Sequence, residues 1–213
     1  MQYLLNLLPS LLEGTALTLQ LFFLTLVMSI PLGIILAIAR MSKFPPLNIF
    51  MQFYVWLFRG TPLLLQVLFV YFGLGVAGIK FDRMTAAVIA FVLNYAAYLA
   101  EIFRAGIQSI DRGQFEAADV LGLSRFQTMK TIILPQMFKL VLPPVSNEVI
   151  NLIKDTALVY AIGMNELLRA AKIAAVRDFL FVPFIVAAVF YLAMTAAIQL
   201  FFKWLESRYD YYR

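Results

Sequence analysis

Five long apolar runs, separated by short segments that gather most of the charge, set the pattern of this 213-residue chain. The first, Thr15 to Ala39, carries no charge and is closed by Arg40. The second lies within Leu47 to Gly75 and is interrupted at Arg59-Gly60-Thr61-Pro62. The third runs from Met84 to Phe103, the fourth from Leu140 to Met164, and the fifth, Phe179 to Phe202, is again uncharged. Each can supply the ~20 residues that a helix needs to cross a bilayer. The pattern therefore predicts an all-α membrane protein of about five transmembrane helices, with residues 1–213 forming a single transmembrane domain. At the interruption, Pro62 removes a backbone donor and Gly60 adds freedom, so a kink or an unwound stretch is expected. The freed carbonyls either line a cavity or mark a helix start, with Arg59 snorkelling to the headgroups.

Five spans put the termini on opposite sides. With the N-terminus outside, the inner segments hold ten basic residues, from Arg40, Lys43 and Arg104 through to Arg213. The outer ones hold five: Lys80, Arg83, Arg169, Lys172 and Arg177. Cytoplasmic loops are the basic ones, so the N-terminus is expected outside and the C-terminus inside. Residues 1–16 carry Glu13 and no Lys or Arg, unlike the basic start of a cleavable leader, so the N-terminus is expected to be retained. Between the last two spans, Asn165 to Arg177 alternates Leu167, Leu168 and Ile173 with Glu166, Arg169 and Lys172. That spacing suits a helix in the outer interface; a surface for a delivery protein is the other reading.

Polar positions inside the spans are costly and usually face an interior or a cavity. In the fourth span Asn147, Glu148, Asn151, Lys154 and Asp155 fall within about 120° at ~100° per residue. In the third, Asn94, Tyr98 and Glu101 share a face at i, i+4 and i+7. Gln66 follows the Pro62 break. Asn147 and Lys154 are read as interhelical glue, worth ~1 kcal/mol per hydrogen bond. Glu101 is also spaced to pair with Arg104 at i+3. The candidate pocket is Gln66, Asn94, Tyr98, Glu101, Glu148, Asn151 and Asp155.

Composition removes whole classes of chemistry. The chain is 63% hydrophobic, with no Cys and no His. Disulfides, thiolate nucleophiles, imidazole bases and the usual zinc ligands are excluded, so no catalytic or metal site is assigned. No Walker A pattern is present, so the chain is not expected to be an enzyme or to bind ATP itself. The net charge of +5 is spread through loops and is not a nucleic-acid signal.

One inner segment has an order of its own. Glu116-Ala117-Ala118 is followed after three residues by Gly122, then after nine by Ile132, and then by Leu134-Pro135. Phe115 to Leu121 suits a short helix, Gly122 permits the positive φ that ends it, Ser124 suits the next N-cap, and Pro135 is expected to stop that second helix. Two short helices at an angle make a compact knob.

This order resembles the EAA loop of the membrane subunits of ATP-driven importers. Arg59-Gly60-Thr61-Pro62, Tyr95 to Arg104, Gly113 to Glu116 and Leu152 to Thr156 resemble the permeases of the polar amino acid uptake group, and the likeness runs from about Thr15 to Trp204. The resemblance implies the type I ABC importer transmembrane fold, with 104–139 as a cytoplasmic coupling loop. Glu116, Ala117, Ala118, Gly122, Ile132, Leu134 and Pro135 would meet the ATPase. It implies a bacterial cytoplasmic membrane, a second permease subunit, an external solute-binding protein, and cytoplasmic subunits that bind ATP and Mg; this chain needs no cofactor. Alternating access is the implied mechanism. With Glu148, Asp155 and Glu101 in the pocket and Lys154 as the only nearby cation, a basic or polar amino acid is the expected substrate. An ion-coupled secondary carrier, with Glu148 and Asp155 as coupling sites, is the rival.

Overall fold

The computed structural model describes residues 2–209, and among them every regular element is helical. The chain runs α1 (Gln2–Arg40), α2 (Pro45–Gly60), α3 (Leu63–Leu68), a π turn (Phe69–Gly73), α4 (Leu74–Val76) and α5 (Arg83–Gln108). It continues with α6 (Arg112–Val120), α7 (Arg125–Thr128), a second π turn (Met129–Ile133), α8 (Leu134–Asp155) and a 3-10 stretch (Thr156–Ile162). It closes with α9 (Leu167–Asp178) and α10 (Val182–Arg208).

Helix α5 is the axis. Ala86, Ala87, Ala90, Ala96, Ala97 and Ala100 are all buried, and such small side chains let neighbouring helices approach closely. A Cβ on Gly33 of α1 would lie 2.8 Å from Leu99 Cβ, so α1 and α5 touch almost backbone to backbone there. The most apolar stretch of α5 is 72% buried, against 6% for that of α10, which packs at the rim of the bundle. Helix α9 crosses α1 just as tightly. A Cβ on Gly14 would meet Leu167 Cα at 2.9 Å.

Three helices, α1, α5 and α10, are long and apolar enough to cross a membrane alone. Pro45–Gly60 with Leu63–Val76 makes a fourth if that pair, bent by 104°, is one span. This is fewer than the five spans expected. The difference is α8, whose polar stripe dilutes its hydropathy and whose last turn tightens to 3-10 at Thr156. Glu166, placed on a polar face by its sequence neighbours, is fully buried instead. It caps α9 by accepting from Leu168 N at 2.6 Å and Arg169 N at 2.7 Å, and Tyr191 Oη donates to it at 3.1 Å.

The EAA segment folds as a helix–turn–helix. Gly122 sits at φ 69°, and Leu123 N donates to Ala118 O while Gly122 N donates to Asp119 O, both at 3.0 Å. That pair of bonds is the Schellman closure of a helix. Ser124 and Gln127 then form a reciprocal capping box on α7. Pro135 does not stop the second helix as expected. The π turn at Met129–Ile133 takes up the extra residue, Pro135 falls in the first turn of α8, where no donor is needed, and the rod continues to Asp155.

Candidate functional site

The break between α2 and α3 builds the site. Helix α2 ends at Gly60, and Pro62 precedes α3 with φ −61° and ψ 134°, leaving the last α2 carbonyls without intrahelical donors. Side chains meet them. Thr61 Oγ1 donates to Leu57 O at 2.8 Å, and Gln66 Nε2 donates to Phe58 O at 2.9 Å and to Thr61 Oγ1 at 2.8 Å. Asn94 Nδ2, reaching over from α5, donates to Phe58 O at 2.9 Å and to Gln66 Oε1 at 3.0 Å. The bend is therefore held by side-chain amides, and Gln66 acts on the backbone rather than on the open space.

That space is a cavity of about 620 Å³ between the break, α5 and α8. Arg59, Asn94, Tyr95, Tyr98, Glu148, Asn151 and Asp155 supply its polar lining, together with the Gly60-Thr61-Pro62 backbone. Its size is ordinary for a small-molecule site. The Arg59 guanidinium lies over the Tyr98 ring, 5.1 Å from its centre. Tyr95 Oη donates to Asp155 Oδ2 at 2.7 Å, and the ring stacks against Phe91 with centres 6.4 Å apart. The cavity thus carries both signs of charge, Arg59 with Glu148 and Asp155.

Of the seven expected pocket residues, five come together here: Asn94, Tyr98, Glu148, Asn151 and Asp155. Gln66 holds the bend from outside the lining. Glu101 lies one cavity further along, in a space of about 570 Å³ shared with Arg104, Ser109 and Pro144. Its carboxylate is already engaged, 2.7 Å from Arg104 Nη2 and 3.5 Å from Arg40 Nε. The cation expected nearby, Lys154, is exposed and does not line the cavity; Arg59 takes that place. Arg59 and Tyr95 are the residues that sequence reasoning left out. The signal for Tyr95 was its spacing from Asp155 across two spans, which only the fold reveals. Arg59, Tyr98 and Glu148 line both cavities and form the wall between them.

At the far end of the molecule, Glu116 and Ala117 of α6 are exposed, whereas Ala118 is buried. Leu134 is 43% exposed, and Ile132 and Pro135 are half-buried. Beside them Val120, Leu121 and Phe126 stand 88%, 73% and 74% exposed, an apolar tip on a polar loop.

A bent helix pair over a charged cavity, with an apolar-tipped loop below, now has counterparts. Residues 29–211 match the family described as binding-protein-dependent transport system inner membrane component. The chain belongs to that family. The permease is 39% identical to the putative glutamine transport system permease protein GlnP of Rickettsia typhi over 213 residues, covering 98% of each chain. It is 40% identical to the arginine transport system permease protein ArtQ of Bacillus subtilis over 202 residues, covering 94% of this chain and 92% of that one. Among solved structures it is similar to an amino acid ABC transporter crystallised with histidines, at 36% identity and a TM-score of 0.90 over 97% of each chain. The MetNI methionine ABC transporter, at 18% identity and a TM-score of 0.70 over 98% of each, shares the fold. The permease is accordingly a type I importer membrane subunit, and the ion-coupled carrier is set aside.

Proposed function

We propose that this permease forms, with a second permease subunit, the path for a basic or polar amino acid through the bacterial cytoplasmic membrane. The observation that carries this is the bipolar cavity, in which Arg59 faces the same space as Glu148 and Asp155. Every free amino acid carries a carboxylate and an ammonium group. Arg59 is built to take the first by a forked, charge-assisted pair. Glu148 and Asp155 take the ammonium, and the carboxylate left over receives a cationic side chain or the donors of a side-chain amide. Asn151 completes the polar wall. The names of the glutamine and arginine relatives support this class of cargo.

Energy comes from separate cytoplasmic subunits that bind ATP and Mg, and an external solute-binding protein delivers the cargo. The segment 104–139 couples the two. Val120, Leu121 and Phe126 seat in the ATPase subunit beside Glu116, Ala117, Gly122 and Leu134, and closure of the ATPase pair turns the cavity outward. Ala118, Ile132 and Pro135 pass that motion into α8 through Ile133 and Met137, which are buried in the core. The N-terminus lies outside and the C-terminus inside.

The test is ATP hydrolysis and uptake by the whole complex in proteoliposomes with its binding protein. Arginine, lysine, glutamine, glutamate and leucine are titrated in turn. Stimulation by arginine, lysine or glutamine, lost in Glu148→Gln, is the expected result. Stimulation by leucine alone would remove the bipolar-cavity reading.

A further inference from the structure

Away from the transport path, α9 bounds a second kind of opening. A cavity of about 520 Å³ is lined by Tyr160, Arg169, Lys172, Ile173, Val176 and Arg177, three cations and no carboxylate. Arg177 is tied to Asp178 by bonds of 2.7 and 2.8 Å. Arg169 and Lys172 make no ion pair among the described residues. Arg169 Nη1 donates only to Tyr160 O at 3.3 Å, and the Lys172 ammonium lies 5.5 Å from the centre of the Tyr160 ring. Two cations therefore line one cavity with their heads on Tyr160 and, among the described residues, no carboxylate within ion-pair distance. On the N-terminus-outside orientation proposed above, they stand on the face where Lys and Arg are ordinarily sparse.

The neighbouring surface is apolar. Ile173 and Val176 are 49% and 65% exposed on α9, and the chain leaves that helix through Phe179, 95% exposed, and Phe181, 72% exposed. Phe179 sits at φ 52°, the one non-glycine residue with positive φ among those described. That conformation closes α9, with the N–H groups of Phe179 and Leu180 both donating to Ala175 O, and it leaves the ring turned away from the protein.

We infer that this cavity seats the phosphate headgroup of an anionic phospholipid. Arg169 and Lys172 hold the phosphate oxygens by charge-assisted hydrogen bonds. The acyl chains run along Ile173, Val176 and Phe179, so one ligand accounts for both the basic pocket and the exposed apolar edge. The inference rests on the membrane-subunit reading but not on the identity of the cargo.

Native mass spectrometry of the whole transporter, exchanged from vesicles of phosphatidylglycerol or phosphatidylcholine, tests it without any transport assay. Wild type is expected to retain phosphatidylglycerol preferentially. Arg169→Gln/Lys172→Gln lowers that affinity about thirtyfold, the effect of losing two cations near an anionic headgroup. The swapped pair Arg169→Lys/Lys172→Arg retains the lipid, which separates charge from folding. Equal retention of both lipids by wild type overturns the proposal, whatever the variants do. Displacement by inorganic phosphate would mark a free-anion site instead. Unchanged lipid retention with loss of binding-protein-stimulated hydrolysis in both lipids would make the cavity a docking point for an acidic protein. A failure of the amino acid reading would show separately, as hydrolysis without any amino acid response while the lipid adduct persists.

Discussion

Tyr95 Oη donates to Asp155 Oδ2 at 2.7 Å, joining α5 to the last turn of α8 across 60 positions of sequence. The bond fixes which way the carboxylate presents itself to the cavity. Tyr95→Phe removes the donor without changing the ring's volume. Hydrogen bonds to charged groups are worth about 1.5–3 kcal/mol, so the KM for transported amino acid should rise about tenfold or more. Basal hydrolysis should stay as it was. Uptake kinetics that separate KM from the maximal rate decide it.

Gln66→Leu asks what holds the bend. The substitution leaves Phe58 O with Asn94 alone and Thr61 O with nothing. Each hydrogen bond lost at this half-buried bend is worth about 0.5–1.5 kcal/mol, so the complex should melt lower. Its ranking of amino acids should not change. A changed ranking at unchanged stability would return Gln66 to the cavity.

At the exposed tip between α6 and α7, Val120→Ser/Leu121→Ser/Phe126→Ser changes only exposed side chains. Surface substitutions of this kind usually move stability by less than about 0.5 kcal/mol. Folding should be intact, while binding of the ATPase subunit falls and substrate-stimulated hydrolysis is lost. Co-purification of the ATPase with the variant measures the first directly.

Gly14→Ala tests the crossing of α1 and α9. The new Cβ would stand 2.9–3.0 Å from three backbone atoms of Glu166 and Leu167, which have no flexible end to give way. Overpacking of this sort costs about 1–3 kcal/mol, and the loss should appear as a lower melting temperature of the whole complex.

Beside that crossing, Tyr3 Oη donates to Asp178 Oδ2 at 2.8 Å. Hydrogen bonds from Arg177 first, and then from Tyr3, hold the Asp178 carboxyl down at about 2. A depressed carboxyl stabilises the fold above its unfolded value of about 3.9 and loses that contribution as pH falls towards about 2. Hydrogen exchange in residues 3–8 should therefore be flat from pH 8 to 5 and rise only in stronger acid, once intrinsic exchange is corrected. Asp178→Asn should raise it between pH 8 and 5, with the difference from wild type closing in stronger acid.

Much of this was legible before folding. The polar faces of the third and fourth spans predicted five residues that meet in one cavity, because helical periodicity alone fixes which side chains share a face. The break at Gly60-Thr61-Pro62 was legible for the same local reason. What stayed hidden was long-range. Gln66 looks like any polar residue in a span until Phe58 O is seen beside it, and Glu166 looks solvated until α1 and α10 close over it. Lys154 stays out of the cavity because, at ~100° per residue, it falls at the opposite edge of the polar stripe from Glu148, on the side of Asn147. Pro135 read as a stop because the π turn before it leaves no sequence mark.

Arg59, Tyr98 and Glu148 belong to the walls of both central cavities. A partition shared in this way behaves like the middle door of an airlock. On the transport reading proposed above, a shift of the Arg59–Tyr98 pair toward one chamber would widen the other, and a passenger would be handed from one room to the next without an open corridor.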